Sequence, residues 1–496
     1  MSADIKGCIL LAASQGKHPT QTSTKSYGSR HHLAACGAVS FLAEVAAEVV
    51  GNHHPNPAWS DHQPPCPCLH SSILRLLEPT ALNILFIHQN FPGQYRHIVR
   101  SLAAQGTHQL VALGIEKPSE PIPAGVTYLR YRIKRASARN LQPWVQDIET
   151  KTIRGEACGT AAHRLRQEGF QPELICGHPG WGEMLFLREI WPQVPILTYQ
   201  EFFYQPHGFD FGFDPELQGK PDWQASARIR LKTVNPLLNL EASSWCVTPT
   251  RFQRSSFPSN WQARISVIHD GIDTTHAQPN QDAAPLTLGD GTELRQGEPI
   301  VTFVNRRLEP YRGCHTMIRA IPELQRLIPD ARIVIVGETK GVSYGAACKK
   351  GEWKDFFLGD IEGRYDPSRV HFTGTLSYDQ FLPLLQLSAA HVYLTYPFVL
   401  SWSLLEAMAC SCAVVGSATP PVEEVIRNGH NGLLVDFFQP SELAAAVAEL
   451  LNNRALASKL GQAARQTVLS HYSLDKCLSR QLALMSLVAS GAIGTV

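Results

Sequence analysis

NILFIHQNFPGQYRHIVRSLAAQGTHQLVALGI, residues 83–115, decides the fold class. NILFIH is a continuous apolar run, which predicts a strand buried on both faces of a parallel sheet. The turn QNFPGQ follows, then the helical pattern YRHIVRSLAAQG, then a second apolar strand, QLVALGI. The alternation continues through ELICGH, a helix across MLFLREIW, and the strands VPILTYQ, SSWCVTPT and RISVIHDGID. Polar, turn-rich residues 274–299 interrupt it. It restarts with PIVTFVN, HTMIRAIPELQRLI and ARIVIVG, passes through RVHFTG, YDQFLPLLQLSA, HVYLTYP, LLEAMAC and AVVGS, and ends in helices across 441–469 and 478–490. Strand–helix alternation of this kind predicts an α/β fold of doubly wound sheets.

The expected organisation is a poorly structured extension over 1–80 and a Rossmann-like domain over 82–275. A linker over 276–299, a second Rossmann-like domain over 300–472 and a C-terminal helix over 473–496 complete it, the helix packing back on the first domain. A cleft between the two domains, at the carboxyl ends of both sheets, is the expected site.

Across 496 residues, 44 Lys+Arg balance 43 Asp+Glu, for a formal net charge of +1. That balance argues against a nucleic-acid binder, which needs a basic field. A hydrophobic fraction of 44% excludes a disordered or collagen-like chain. Cys66-Pro-Cys68 and Cys410-Ser-Cys412 are too close for zinc chelation, and the 12 cysteines read as reduced thiols. No run of about 18 apolar residues exists, and the first residues are too weak for a secretory signal. The expected location is therefore cytoplasmic, with peripheral contact at the inner membrane face open to the first domain. Residues 33–50 suggest one amphipathic helix, and the surrounding His, Ser, Pro and Cys residues read as coil.

VTFVNRRLEPYRGCHTMIRA, residues 301–320, places Arg306, Arg307 and Arg312 just beyond a strand end. Cations there suit a diphosphate, which arginine grips with two parallel donors; the bland alternative is a solvated loop. In YLTYPFVLSWSLLEAMAC, Ser401, Trp402 and Ser403 lead into a helix that carries Glu406. A capped helix start offers N–H groups to an anion, and a nearby carboxylate can accept from two vicinal ribose hydroxyls. The alternative is a carboxylate favoured there by the helix dipole.

RLEPYRG, SLLEAMACSCAVVGS, PVEEVI and NGHNGLLV resemble the donor domain of the retaining glycosyltransferases of family 4, which adopt the GT-B fold. VIHDGID resembles the family's N-G-V-D element. The resemblance spans roughly residues 83–490. It implies two Rossmann-like domains facing across a cleft and transfer of a sugar from a nucleotide diphosphate sugar to an acceptor hydroxyl. By that resemblance Arg307 and Arg312 hold the diphosphate, Glu406 the ribose, and the loop Phe398–Ser403, with Ser401, Trp402 and Ser403, the phosphate and sugar. Glu424 falls on the family's P-E-x-I glutamate. Phe398 stands where the family has its first glutamate, and Val399 and Ser401 replace glycines. His178, at the end of ELICGH, matches a family histidine beside the reacting sugar. Gly93 falls in a loop that in the family lies over the diphosphate.

Glu183, Glu201 and His207 are the acceptor-side candidates. The last two lie in PILTYQEFFYQPHGFDFGFDPE, whose aromatic rings suit stacking on sugars or packing in a core. The expected partners are a nucleotide sugar donor and a saccharide or glycolipid acceptor, in polysaccharide or glycolipid synthesis. No nucleic acid, no cofactor beyond the co-substrate and no metal are expected, since the arginines take the metal's role. A nucleotide-sugar epimerase and a non-catalytic nucleotide-sugar-binding protein are the competing readings.

Overall fold

The computed structural model describes residues 81–118 and 120–494; the coil and the helix expected over residues 1–80 lie outside them. Strands β1 (Asn83–Ile87), β2 (Gln109–Gly114), β3 (Val126–Arg130), β4 (Leu174–Gly177), β5 (Ile196–Tyr199), β6 (Trp245–Thr248) and β7 (Ile265–Val267) form one sheet. Its order is β3-β2-β1-β4-β5-β6-β7, parallel throughout. The apolar run of β1 is buried on both faces. Ile84 and Phe86 enter one core cluster, and Leu85 and Ile87 the cluster on the other face. The helix Arg96–Gln105 crosses between β1 and β2 and stops at Gly106, whose φ of 68° ends it.

Strands β8 (Leu286–Thr287) and β9 (Glu293–Leu294) form a small antiparallel hairpin. Strands β10 (Ile300–Arg307), β11 (Arg332–Glu338), β12 (Val370–Gly374), β13 (Ala390–Tyr393), β14 (Val414–Ser417) and β15 (Leu433–Val435) form the second parallel sheet, in order β12-β11-β10-β13-β14-β15. β10 repeats the logic of β1, with Val301 and Phe303 in one core cluster and Ile300 and Val304 in the other.

The local departures from the sequence reading have physical causes. Residues 276–299, read as a linker, carry the hairpin, and Leu288 and Leu294 are buried in the second domain's core. Leu294 sits among polar residues, and the alternation Leu286-Thr287-Leu288 is too short to mark a strand. The helix expected across 184–191 is one turn, Leu187–Ile190. The helical stretch over 441–469 breaks at Asn453, whose side chain accepts from the Leu456 N–H at 3.0 Å and starts a new helix.

The chain leaves the first domain at Ile272 and returns beside it at Ser473, where the two residues form a bridge. The helix Leu474–Ala489 then lays Leu484, Met485 and Val488 against Phe86, Tyr95 and Trp245. Gln481 Nε2 donates to the His269 carbonyl at 3.1 Å.

A second crossing joins the domains. Residues 201–217 leave β5 and lie on the second domain, where Phe202, Tyr204, Phe213 and Leu217 pack against its core. Tyr311 Oη donates to Asp210 Oδ2 at 2.9 Å, and Tyr396 Oη donates to Asp214 Oδ2 at 2.7 Å. Arg319 grips Glu216 with two nitrogens, at 2.8 and 2.6 Å.

Candidate active site

Strand order reverses between β1 and β4 in the first sheet and between β10 and β13 in the second. Crevices open at such switch points, beyond the carboxyl ends of the strands. His88 and His178 follow β1 and β4, and the loop 394–401 follows β13; Arg306 and Arg307, expected just beyond a strand end, are instead the last two residues of β10, where Arg307 pairs with Glu338 of β11.

Arg306 is exposed and Arg307 half-buried, its Nη1 donating to the Lys340 carbonyl. With Asn305, Glu338, Thr375 and Leu376 they line a cavity of about 270 Å³. Arg312 is 7% exposed and donates to Thr395 Oγ1 at 2.9 Å, the Val399 carbonyl at 2.8 Å and Tyr393 Oη at 3.4 Å. Its guanidinium lies 5.4 Å from the Tyr344 ring centre and 6.0 Å from that of Phe398. Among the described residues no ion pair involves Arg306, Arg307 or Arg312. Glu309, the nearest acid in sequence, accepts instead from the N–H groups of Ser343 and Tyr344. A buried cation lacking a counter-ion favours an anionic ligand.

The helix Trp402–Ala409 begins at Ser401, whose hydroxyl accepts from the Ser403 N–H and lies 3.0 Å from Ser403 Oγ. Trp402 points away from this helix start: its Nε1 donates to Asp270 Oδ2 of the first domain at 2.8 Å. Phe398 is 2% exposed, packed 4.9 Å from Phe202, 4.8 Å from Tyr344 and 5.5 Å from Tyr311, ring centre to ring centre. The aromatic residues 202 and 204, read as candidates for stacking on sugar, therefore wall in Phe398 and join the second domain's core.

The opposite wall carries the histidines. The His178 ring stacks between Trp181 at 4.4 Å and Tyr199 at 5.6 Å, and His88 meets it edge-on at 5.6 Å. Its Nδ1 accepts from the Gly180 N–H at 3.1 Å. Burial, and then the neighbouring His88, hold its pKa well below the ordinary histidine value, which favours the neutral ring. With Nδ1 accepting, the hydrogen-bond network assigns the proton to Nε2. That donor is buried and unpartnered; the Glu201 carboxylate, at 3.8 Å, is too far for a hydrogen bond. His88 is likewise pushed down by burial, to about 4, and its Nε2 bonds Gln94 Oε1 at 2.8 Å.

Asp270, in the turn of VIHDGID, joins the His178 wall to the second domain and is not among the sequence candidates. It accepts from Tyr199 Oη at 3.0 Å as well as from Trp402, and burial pushes its carboxyl up to about 7. Aspartate beside glycine reads as an ordinary turn, so no sequence signal marked it.

The other sequence candidates separate. Glu406 lies beyond the first turn of the helix Trp402–Ala409, not at its start, and accepts from Tyr378 Oη at 3.0 Å; burial raises its carboxyl, against that bond and the nearby Arg96 charge. Glu424 does not line the cavity beside Arg306 and Arg307. Its two oxygens accept from the N–H groups of Arg251 and Phe252 at 2.8 and 2.7 Å, capping a first-domain helix from the second domain. Glu183 is 1% exposed and engaged inside the first domain by Tyr131 Oη at 2.9 Å and Arg154 at 3.4 Å. Such burial does not suit an acceptor contact. His207 is exposed in the 201–217 segment.

Gly93 has φ +50° and packs on the His88 ring, so a Cβ there would come within 2.3 Å of it. Gly93→Ala is expected to lower stability by about 2 kcal/mol, through backbone strain plus displacement of His88. Urea unfolding measures it; a loss under about 0.5 kcal/mol, the range of an ordinary surface change, would refute the packing role.

Among the described residues no group of three or more side chains forms a metal-binding cluster, and no helix is long and apolar enough to cross a membrane.

Residues 106–277 match the glycosyl transferase family 4 group, and residues 290–467 match glycosyl transferases group 1. An uncharacterized glycosyltransferase of Methanocaldococcus jannaschii is 26% identical over 171 residues, 34% of this chain and 41% of the relative. A glycogen synthase of Mycobacterium tuberculosis is 28% identical over 210 residues, 42% of this chain and 45% of the relative. The chain thus spans under half the length of these curated relatives. Among solved structures, a sucrose-phosphate synthase from Thermosynechococcus elongatus shares the fold with a TM-score of 0.64 at 19% identity, covering 83% of this chain and all of that one (100%). An Anabaena protein solved with UDP-glucose shares it at 0.56 and 15% identity, covering 82% and 99%. With both domains matched in order and the fold shared with these structures, the chain belongs to the glycosyltransferases of the group 1, family 4 type, of GT-B fold.

Proposed function

We propose that the chain transfers a sugar from a nucleoside diphosphate sugar to the hydroxyl of a saccharide or glycolipid acceptor, with retention at the anomeric carbon and without a metal ion. The observation that carries this reading is the set of Arg306, Arg307 and Arg312 at the β10 switch point, none paired with a carboxylate among the described residues. Departure of a nucleoside diphosphate is limited by the charge it develops, and fixed cations in a water-poor cleft stabilise that charge. Arg307 beside the cavity and Arg312 beneath the donor loop supply the charge a metal would otherwise bring.

The anomeric carbon–phosphate oxygen bond breaks as the bond to the acceptor oxygen forms on the same face. The acceptor's proton passes to the departing phosphate oxygen. The neutral Nε2–H of His178 can donate to a sugar hydroxyl and cannot act as a base there. Closure of the two domains limits competing hydrolysis.

Thermal stabilisation by nucleoside diphosphate sugars tests the binding half, because a ligand of the folded state raises the melting point. A turnover assay with the stabilising donor and a panel of saccharide acceptors tests the rest. Transfer that is undiminished in a folded Arg307→Ala variant would overturn the donor-site assignment. Conversion of the donor sugar without any acceptor would point to epimerisation instead.

A further inference from the structure

Glu201, two residues beyond β5, presents a carboxylate to the cleft with 38% of its side chain exposed. Among the described residues no hydrogen bond reaches that carboxylate. Its backbone is fixed, since Gln253 Nε2 donates to the Glu201 carbonyl at 2.7 Å. Its neighbours in sequence are fixed too: Tyr199 stacks on His178, and Phe202 packs edge-on against Phe398. The carboxylate is thereby held between the His178 wall and the aromatic wall of the donor loop. It also lies in the field of Arg312, whose charge offsets part of the upward push that burial gives it.

The chemistry of this spot is specific. His178 Nε2 is a buried donor without a partner, and 3.8 Å away Glu201 is an acceptor without one. A sugar hydroxyl both donates and accepts, so adjacent hydroxyls satisfy such a pair. Aromatic faces alongside suit the apolar face of a ring. Phe398, enclosed among Phe202, Tyr311 and Tyr344, leaves the donor loop without an acceptor of its own at that position.

We infer that Glu201 is a donor-sugar residue: from the first domain, its carboxylate accepts a hydroxyl of the transferred sugar and, beside His178, helps decide which sugar is taken. The inference rests on the function proposed above and departs from the acceptor role expected of Glu201. A site built to accept from a hydroxyl rejects analogues that lack it, because its own group is left unpaired once the ligand covers it.

Calorimetry on the full chain tests this with UDP and UDP-glucose, GDP and GDP-mannose, and ADP and ADP-glucose. Wild type is expected to bind at least one nucleoside diphosphate, and its sugar more tightly. Glu201→Gln is expected to keep the nucleoside diphosphate Kd within about twofold while weakening the nucleotide sugar about 10- to 100-fold, the usual scale for a charged hydrogen bond. Acceptor-free hydrolysis of that donor falls in parallel. The unchanged nucleoside diphosphate Kd reports an intact fold, and Glu201→Asp is expected to recover part of the loss. Equal weakening of nucleotide and nucleotide sugar, or of neither, overturns the inference and leaves the proposed function standing. Failure of wild type to bind any of the six overturns both.

Discussion

On the proposed function, replacing Arg312 by methionine is expected to lower sugar transfer by about 10²- to 10³-fold, the scale on which removal of one preorganised charge-stabilising donor acts. Arg312 is the most enclosed of the three arginines at and just beyond the end of β10. One nitrogen holds the donor loop through Thr395 and the Val399 carbonyl, and the guanidinium plane lies by Tyr344 and Phe398. Methionine retains much of the apolar volume but neither charge nor donors. Arg312→Lys separates the two contributions. It keeps the charge and loses the planar fork, so an intermediate loss of about tenfold is expected. The measurement is kcat/KM with the donor identified by thermal shift, with circular dichroism checking the fold. Equal activity in wild type and a folded Arg312→Met would remove Arg312 from the donor site. Equal defects in the lysine and methionine variants would assign its role to the fork rather than to the charge.

Asp214→Ala is expected to destabilise the protein by about 3 kcal/mol, because the Tyr396 hydroxyl and two backbone N–H groups lose their acceptor and a buried donor left unpaired costs about 1–3 kcal/mol. Asp214 is 0% exposed and accepts from Tyr396 Oη at 2.7 Å and from the N–H groups of Glu216 and Leu217 at 3.0 and 3.1 Å. His315 Nε2 lies 3.2 Å from its Oδ2; the distance is that of an ion pair, although the angle is poor for a hydrogen bond. Burial pushes this carboxyl up, but the contacts from His315 and Tyr396 outweigh it and hold it below the ordinary aspartate value. A depressed folded-state value means the stabilisation is present above the unfolded carboxyl's range and is lost on acidification. The alanine variant should therefore differ from wild type most near neutral pH and least in acid. Urea unfolding followed by tryptophan fluorescence measures the loss. Small-angle scattering should show a larger radius of gyration, because Asp214 ties the 201–217 segment of the first domain to the second. Glu216→Ala, which removes a half-exposed pair with Arg319, is expected to cost at most about 1 kcal/mol. Comparable losses in the two variants would contradict a buried anchor at Asp214.

Several positions carried their chemistry in plain view. Arg306, Arg307 and Arg312 follow an apolar run that can only be a strand interior, so their place at a strand mouth was legible. His178, directly after ELICG, was legible for the same reason. Glu424 was not. Its partners, Arg251 and Phe252, lie 173 and 172 residues away, and nothing around PVEEVI indicates that a helix start from the other domain approaches it. Trp402 and Asp270 meet across 132 residues in the same way. Glu183 misled because its place in GHPGWGE suggests a loop, whereas Tyr131 and Arg154 enclose it.

The sequence by itself determined the two parallel sheets, because a continuous run of apolar residues between turn formers has to bury both faces, and only covering helices allow that. It also determined that cations stand at one strand mouth. The tertiary structure alone decided which domain covers each surface: that Phe202, Tyr204 and Phe213 belong to the second domain's core, that Phe398 is enclosed, and that Glu201 is left facing His178. The physical reason is that periodicity records how much of a residue is buried, whereas the partner that buries it is set by contacts 101 to 182 residues distant, as for Asp210 with Tyr311 and Asp214 with Tyr396.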